Sequence, residues 1–249
     1  MFASSSYTDI FAQRGPQYQE AMERWPAARD AEFAAIIADA ELAPGLVLLD
    51  APAGGGYLSR YIAPDVQVLE LETTTGFHPH ATATRPQILC SSLDAVPLAD
   101  ACADRVVSVA GLHHAPERSR IYREFARLLR PGGIFALADV AAHSPTAAFL
   151  NEFVHRYCPM GHCGDFFGAE LPGELQDAGF HIVADRRMAL HWRFDNCSDM
   201  VDFCRLLFGL DLADTPTVLA GITHYLGYEK HTNGIAMNWE LRYVQAIRL

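Results

Sequence analysis

Apolar positions recur every three to four residues through the first 44 residues, and then give way to short unbroken apolar runs. Phe33, Ile36, Ile37 and Ala40 make one such stripe, the spacing of a helix face buried against a core. Tyr7 to Met22 is amphipathic too, with Phe11 and Tyr18 set among polar residues. Pro26 can open the second helix, and Pro44-Gly45 ends it. Leu46 to Leu49 is then wholly apolar and short, as a strand buried on both faces should be. Asp50 closes it, and Ala51 to Gly56 make a flexible turn into a helix expected over Tyr57 to Ile62.

The same pattern predicts strands at Val66–Leu71, Gln87–Cys90, Arg105–Ala110 and Ile134–Val140. A helix from Glu117 to Leu129 is stopped by Arg130-Pro131-Gly132-Gly133. Alternating strands and helices imply βαβ units and a parallel sheet covered on both faces. After residue 140 the alternation breaks. Helices are expected near Pro145–Tyr157, Ala169–Ala178 and Asp199–Leu210, strands at Phe180 to about Leu190 and at Ala236–Arg248, and a loop over Cys158–Asp165.

The chain has 249 residues, half of them hydrophobic and a fifth charged, enough for one α/β domain with a sizeable core. Its formal charge of −11 disfavours a nucleic-acid substrate, because an acidic protein repels phosphate backbones. No basic segment followed by an apolar run opens the chain, and no stretch is apolar and long enough to span a membrane. A cytoplasmic protein with reduced thiols is therefore expected, with six scattered cysteines and no disulfide framework.

Gly54 and Gly56 follow a buried strand and open a helix. Without Cβ atoms they let a ligand approach backbone N–H groups. This alone says only that a nucleotide-like ligand fits. Asp50 narrows it: a carboxylate there would repel a pyrophosphate and favour a ligand carrying positive charge. Glu70 and Glu72 share one face of the second strand, and an acid at that end can accept both ribose hydroxyls of an adenosine. Glu70 is the preferred ribose ligand, and Glu72 is expected to be a solvated loop acid.

In order and spacing, five segments resemble the motifs of class I S-adenosylmethionine (SAM)-dependent methyltransferases, especially the small-molecule branch that includes the ubiquinone/menaquinone-type enzymes. They are residues 48–56, 68–71, 91–109, 111–114 and 124–133. The resemblance is detailed over residues 45–140. It implies a Rossmann-like doubly wound seven-stranded sheet with its last strand antiparallel. Residues 1–44 would form a helical lid, 45–140 the SAM-binding core, 141–235 an α-rich cover over the substrate, and 236–249 the closing strand.

The resemblance also implies SAM as cofactor, with contacts from Asp50, Ala51, Gly54, Gly56, Glu70 and Leu71. Ser92 and Leu93 would flank the adenine, and Tyr18 would contact the cofactor from the lid. Two positions depart from the family: Ser92 stands where an acid often meets the adenine amino group, and Pro52-Ala53 precede the glycines. His113 and His114 end the fourth strand, where one of them, His114 first, is expected to face substrate and accept a proton.

The implied reaction is methyl transfer to an oxygen or nitrogen of a small molecule, less readily to carbon or sulfur. Three rival readings remain: a same-fold enzyme using SAM or a carboxylated analogue without methylating, a nicotinamide oxidoreductase, and a non-catalytic SAM-binding module. No metal is expected. His155, Cys158, His162 and Cys163 would hold one if it were present, or a cysteine pair could take a soft substrate such as arsenite. A substrate-lining loop is the preferred reading of that segment. The aromatics Trp192, Phe194, Phe203, Phe208, Tyr225, Tyr228 and Trp239 read first as core, and a subset lining a pocket would suit an apolar or planar substrate.

Overall fold

The computed structural model describes residues 7–77, 86–115 and 117–249. Two helices come first, α1 (Tyr7–Arg24) and α2 (Asp30–Ala40). Five strands then run in parallel: β1 (Val47–Asp50), β2 (Gln67–Glu72), β3 (Gln87–Leu89), β4 (Ala103–Val109) and β5 (Leu129–Asp139), with α3 (Arg118–Leu128) between the last two. The glycine turn leads into the expected helix, which is a short 3-10 helix, Tyr57–Tyr61.

The segment after β5 opens with α4 (Pro145–Ala148), which continues through a π-helical turn, Phe149–Val154, into α5 (His155–Tyr157). It goes on with α6 (Leu171–Asp177), β6 (Phe180–Phe194), α7 (Cys197–Phe208), α8 (Thr215–Tyr225) and β7 (Tyr228–His231). The strand β8 (Gly234–Arg248) closes the chain. Helix α8 and strand β7 had no counterpart in the sequence reading. Asp214 caps α8 through Thr217 N, and Pro216 sits in its first turn, both local signals that start a helix.

The sheet has eight strands in the order β3-β2-β1-β4-β5-β8-β6, with β7 on the free length of β8. This is the expected doubly wound sheet with one strand more than predicted. β8 inserts antiparallel between β5 and β6. Strand β6 runs well beyond its expected end near Leu190, to Phe194. Its extension pairs with the start of β8 and leaves the parallel sheet behind, carrying Trp192 and Trp239 toward the cover.

Two apolar clusters cover the two faces. One joins α1, α2, the cover helices and the aromatic ends of β6 and β8. The other packs α3 and α6 under β1, β4 and β5. Leu48, Leu49, Val106 and Val107 are fully buried, as a central parallel sheet requires.

Candidate active site

The carboxyl ends of β1, β2 and β4 meet at the crevice where α/β sheets place their ligands. Register sets Asp50 beside Glu70 on β2 and beside Val107 on β4. Beyond Asp50, Gly54, Gly55 and Gly56 all have positive φ, a conformation that excludes side chains at little cost only for glycine. At Gly56 a Cβ would also lie 2.6 Å from Oε1 of Glu70. Glu70 therefore sits under the glycine turn, where it accepts a hydrogen bond from Ser59 Oγ at 2.8 Å.

Glu72 corrects the expectation of a solvated loop acid. It is the last residue of β2 and fully buried. Its Oε2 accepts hydrogen bonds from the backbone N of Gly54 at 3.0 Å and from the Tyr7 hydroxyl at 3.1 Å. Burial raises its pKa, against the opposing pull of its backbone donors Thr73 and Gly54. The strand runs one residue further than its apolar pattern suggested, because pairing with β3 continues to Glu72↔Leu89.

Asp50 is 2% exposed, and its Oδ2 has no hydrogen-bond partner among the described residues. Burial holds its pKa well above the usual carboxylate range, and the charges of Glu70 and Glu72 add to the shift. Ala51 and Leu71 have no exposed surface. They serve the turn through the backbone: Ala51 N donates to Val107 O, and Ala53 N to Leu71 O, both at 2.9 Å.

Two clefts open from this point. The smaller, about 740 Å³ including its mouth, is lined by Ser92, Leu93, Asp94, Leu112 and Ile121, with Tyr7 and Thr73. Ser92 Oγ hydrogen-bonds to Asp94 Oδ1, so an acid stands two residues beyond the position where Ser92 replaces the family's acid. The larger, about 1140 Å³ including its mouth, is lined by Asp50, Gly54 and Tyr18 and by Trp192, Phe208 and Trp239. Trp192 and Trp239 stack at 4.2 Å between ring centroids. Tyr18 belongs to a buried network: Arg29 Nη1 donates to its hydroxyl at 2.7 Å, Arg29 Nε lies 3.2 Å from Glu32 Oε2, and Trp192 Nε1 donates to the same carboxylate at 2.9 Å.

His113 and His114 lie in a 3-10 turn after β4, and both line the larger cleft. The His113 ring is held by Asp139, Nδ1 to Oδ1 at 2.7 Å, and its Nε2 is buried without a hydrogen-bond partner. Asp139, which no motif singles out, reaches His113 from the end of the neighbouring strand β5. Burial holds the His114 pKa well below its usual value, with His113 and His162 adding to the effect. His114 is thus neutral at physiological pH.

His155, Cys158, His162 and Cys163 are not gathered as one set of ligands. His155 turns its Nδ1 to the carbonyl oxygen of His162 at 2.8 Å, and Cys158 is buried in the apolar cluster. His162 instead stands 5.1 Å from His114 and 5.6 Å from His113, ring centroid to ring centroid. All six cysteines are free thiols. Among the described residues no helix is long and apolar enough to cross a membrane.

The donor set fits SAM on the structure's own terms. A buried acid without a partner suits the ligand's positive charge, Glu72 at the end of β2 suits ribose hydroxyls, and the groove beside Ser92 and Leu93 suits a planar base. Comparisons with known proteins agree. Residues 49–137 match a methyltransferase domain family. An arsenite methyltransferase of Halobacterium salinarum is 29% identical over 159 residues, which cover 58% of this chain and 39% of that protein. Methyltransferase GfsG of Streptomyces halstedii is 34% identical over 89 residues, covering 35% of this chain and 32% of that protein. The chain thus spans about a third to two-fifths of the length of these relatives. Among solved structures, a Haemonchus contortus phosphoethanolamine N-methyltransferase with bound S-adenosylhomocysteine superposes with a TM-score of 0.63 at 12% identity, over 98% of this chain and 60% of that one. The [4+2]-cyclase SpnF superposes with a TM-score of 0.65 at 19% identity, over 100% and 97%. These structural likenesses establish a shared fold.

Proposed function

From the premise that this chain carries a class I SAM-dependent methyltransferase domain, we propose that it transfers a methyl group from SAM to an oxygen or nitrogen of a small molecule. The observation that carries this reading is the orphaned Oδ2 of Asp50, buried beside two further acids at the lip of a glycine turn. Leaving such a group unpaired costs about 1–3 kcal/mol, and a cationic ligand offsets that cost. When bound, SAM supplies an electrophilic methyl group on sulfur.

The chain's own residues provide binding and orientation. Asp50 and the Gly54–Gly56 backbone hold the amino-acid end. Glu72 replaces Glu70 as the ribose acceptor in this reading, since it ends β2 at the crevice whereas Glu70 lies under the glycine turn. Ser92, Asp94 and Leu93 flank the base, and Tyr18 closes the cleft from α1. The acceptor substrate lies between the His113–His114 turn and the Trp192–Trp239 wall, which favours a planar or apolar body. A neutral imidazole at that turn can take the proton that the nucleophile loses. The helices of residues 1–44 act as the lid and those of 141–235 as the substrate cover.

Calorimetric titration of the purified protein with SAM tests the reading, followed by product analysis against panels of small alcohols, phenols and amines. Micromolar binding of SAM, with none of NAD, is expected. A protein that fails to take up 1 mM SAM overturns the proposal. Tight binding without methylated product from any panel would favour a non-methylating use of the fold.

A further inference from the structure

One ring nitrogen from each of His113, His114 and His162 falls within 4.8 Å of the other two, and no other trio of His, Cys, Asp or Glu does so among the described residues. The second shell sets their ring chemistry. Asp139 accepts from the backbone N–H groups of Leu112, His113 and Val140, at 3.0, 3.2 and 2.7 Å. It is therefore a fixed acceptor, and the His113 Nδ1 beside it must carry the proton. In the neutral ring the lone pair then lies on Nε2, which is buried without a hydrogen-bond partner among the described residues.

His162 is set the same way. Asn151 donates from Nδ2 to Gly164 O at 2.9 Å and accepts from Gly164 N at 2.8 Å. Those two backbone bonds decide which end of the amide is oxygen. The Asn151 Oδ1 that lies 2.9 Å from His162 Nδ1 is thus an acceptor, so His162 also keeps its lone pair on Nε2. A histidine whose outer nitrogen is tied to a carboxylate or amide oxygen is the arrangement that prepares imidazole for a metal.

We propose that His113, His114 and His162 form a binding site for one divalent transition-metal ion of the zinc type, with its open position turned to the larger cleft. Three imidazole ligands suit zinc, cobalt or nickel, whereas magnesium and calcium require oxygen ligands. Tetrahedral Zn–N bonds of about 2.0–2.1 Å place ligand nitrogens about 3.3 Å apart, so the trio closes by up to about 1.5 Å around an ion. His162 lies on a loop that can supply this movement.

The ion's role rests on the methyl-transfer reading, although its binding does not. A substrate hydroxyl or amine taking the open position becomes more acidic and releases its proton to solvent. Its lone pair then forms the new bond to carbon while the carbon–sulfur bond breaks and sulfur keeps that electron pair. In this state the histidines act through the metal instead of as free bases.

The test titrates Co²⁺ into chelator-treated protein and follows its visible absorption, with Zn²⁺ as competitor. One equivalent should bind with a Kd in the micromolar range or below and give the intense bands of a four-coordinate ion. His162→Ala should weaken Co²⁺ binding roughly 100-fold, and Asn151→Ala about tenfold through the second shell. Both variants should keep the wild-type Tm of the metal-free protein within about 2 °C, and SAM affinity within about threefold. No saturable Co²⁺ or Zn²⁺ binding below 1 mM overturns the site, as does binding that His162→Ala and His114→Ala both leave unchanged. Metal binding by a protein that does not bind SAM supports the site while defeating the methyl-transfer reading.

Discussion

The hydroxyl of Tyr7 donates a 3.1 Å hydrogen bond to Oε2 of Glu72, so the first helix reaches the acid that ends β2. Burial and the Glu72 charge raise the Tyr7 pKa well above its usual value, which keeps the phenol a proton donor. It competes for the oxygen proposed to accept a ribose hydroxyl. Tyr7→Phe should tighten SAM binding by about threefold to tenfold, the worth of one net hydrogen bond of about 0.5–1.5 kcal/mol. Glu72→Gln should weaken it by about 10- to 100-fold, from the loss of a charged acceptor worth about 1.5–3 kcal/mol. Glu70→Gln should have a smaller effect. Calorimetry on the three variants decides, and a larger loss for Glu70→Gln would restore Glu70 as the ribose ligand.

Asp50 should show a trade of stability for binding. Its pKa is raised in the folded state, so the folded protein holds its proton to higher pH than the unfolded chain does. Stability therefore falls as pH rises from the unfolded value near 3.9 through the folded one. Asp50→Asn should accordingly raise the Tm of the ligand-free protein at pH 8, by about 2–12 °C for about 1–3 kcal/mol. The gain should shrink toward zero near pH 4. SAM affinity should drop by about 10- to 100-fold. Melting curves across this pH range, with and without SAM, check both halves.

Arg29 and Glu32 are 5% and 0% exposed, and their pair anchors both Tyr18 and Trp192, which line the larger cleft. Removing one partner strands the other charge, at a cost of about 3–5 kcal/mol. Arg29→Met should lower the Tm by about 6–20 °C. The double variant Arg29→Met/Glu32→Gln should recover part of the loss, because no charge is then left unpaired. A double variant as unstable as the single one would show that packing, not the charge, sets the cost.

Gly56 faces two obstacles to substitution, its φ of 76° and the Glu70 carboxylate 2.6 Å from the place of a Cβ. Gly56→Ala should cost about 1–3 kcal/mol and weaken SAM binding by distorting the turn. Adding Glu70→Ala removes the clash and leaves the backbone cost. Chemical denaturation should therefore show a partial rescue, and full rescue would mean that the positive φ carries no cost here.

The sequence by itself determined what depends on near neighbours. The wholly apolar run Leu46–Leu49, the glycines after Asp50 and the Arg130–Gly133 stop are local signals, and they fixed the parallel core, the turn and the position of Asp50 correctly. It also placed His113 and His114 at a strand end. Tertiary structure decided the rest, because those questions turn on pairing and contact between distant segments. Hydrogen bonding to β3 carries β2 on to Glu72 and buries that acid, which the sequence pattern left in a loop. The Asp165 N–H to His113 O bond, at 2.8 Å, fastens the cover loop to the His113–His114 turn beside which His162 lies. The long antiparallel pairing of β6 with β8 brings Trp192 against Trp239. A periodicity along the chain reports which face of an element is buried, but not which buried face it meets, and the histidine trio and the aromatic wall exist only through that second choice.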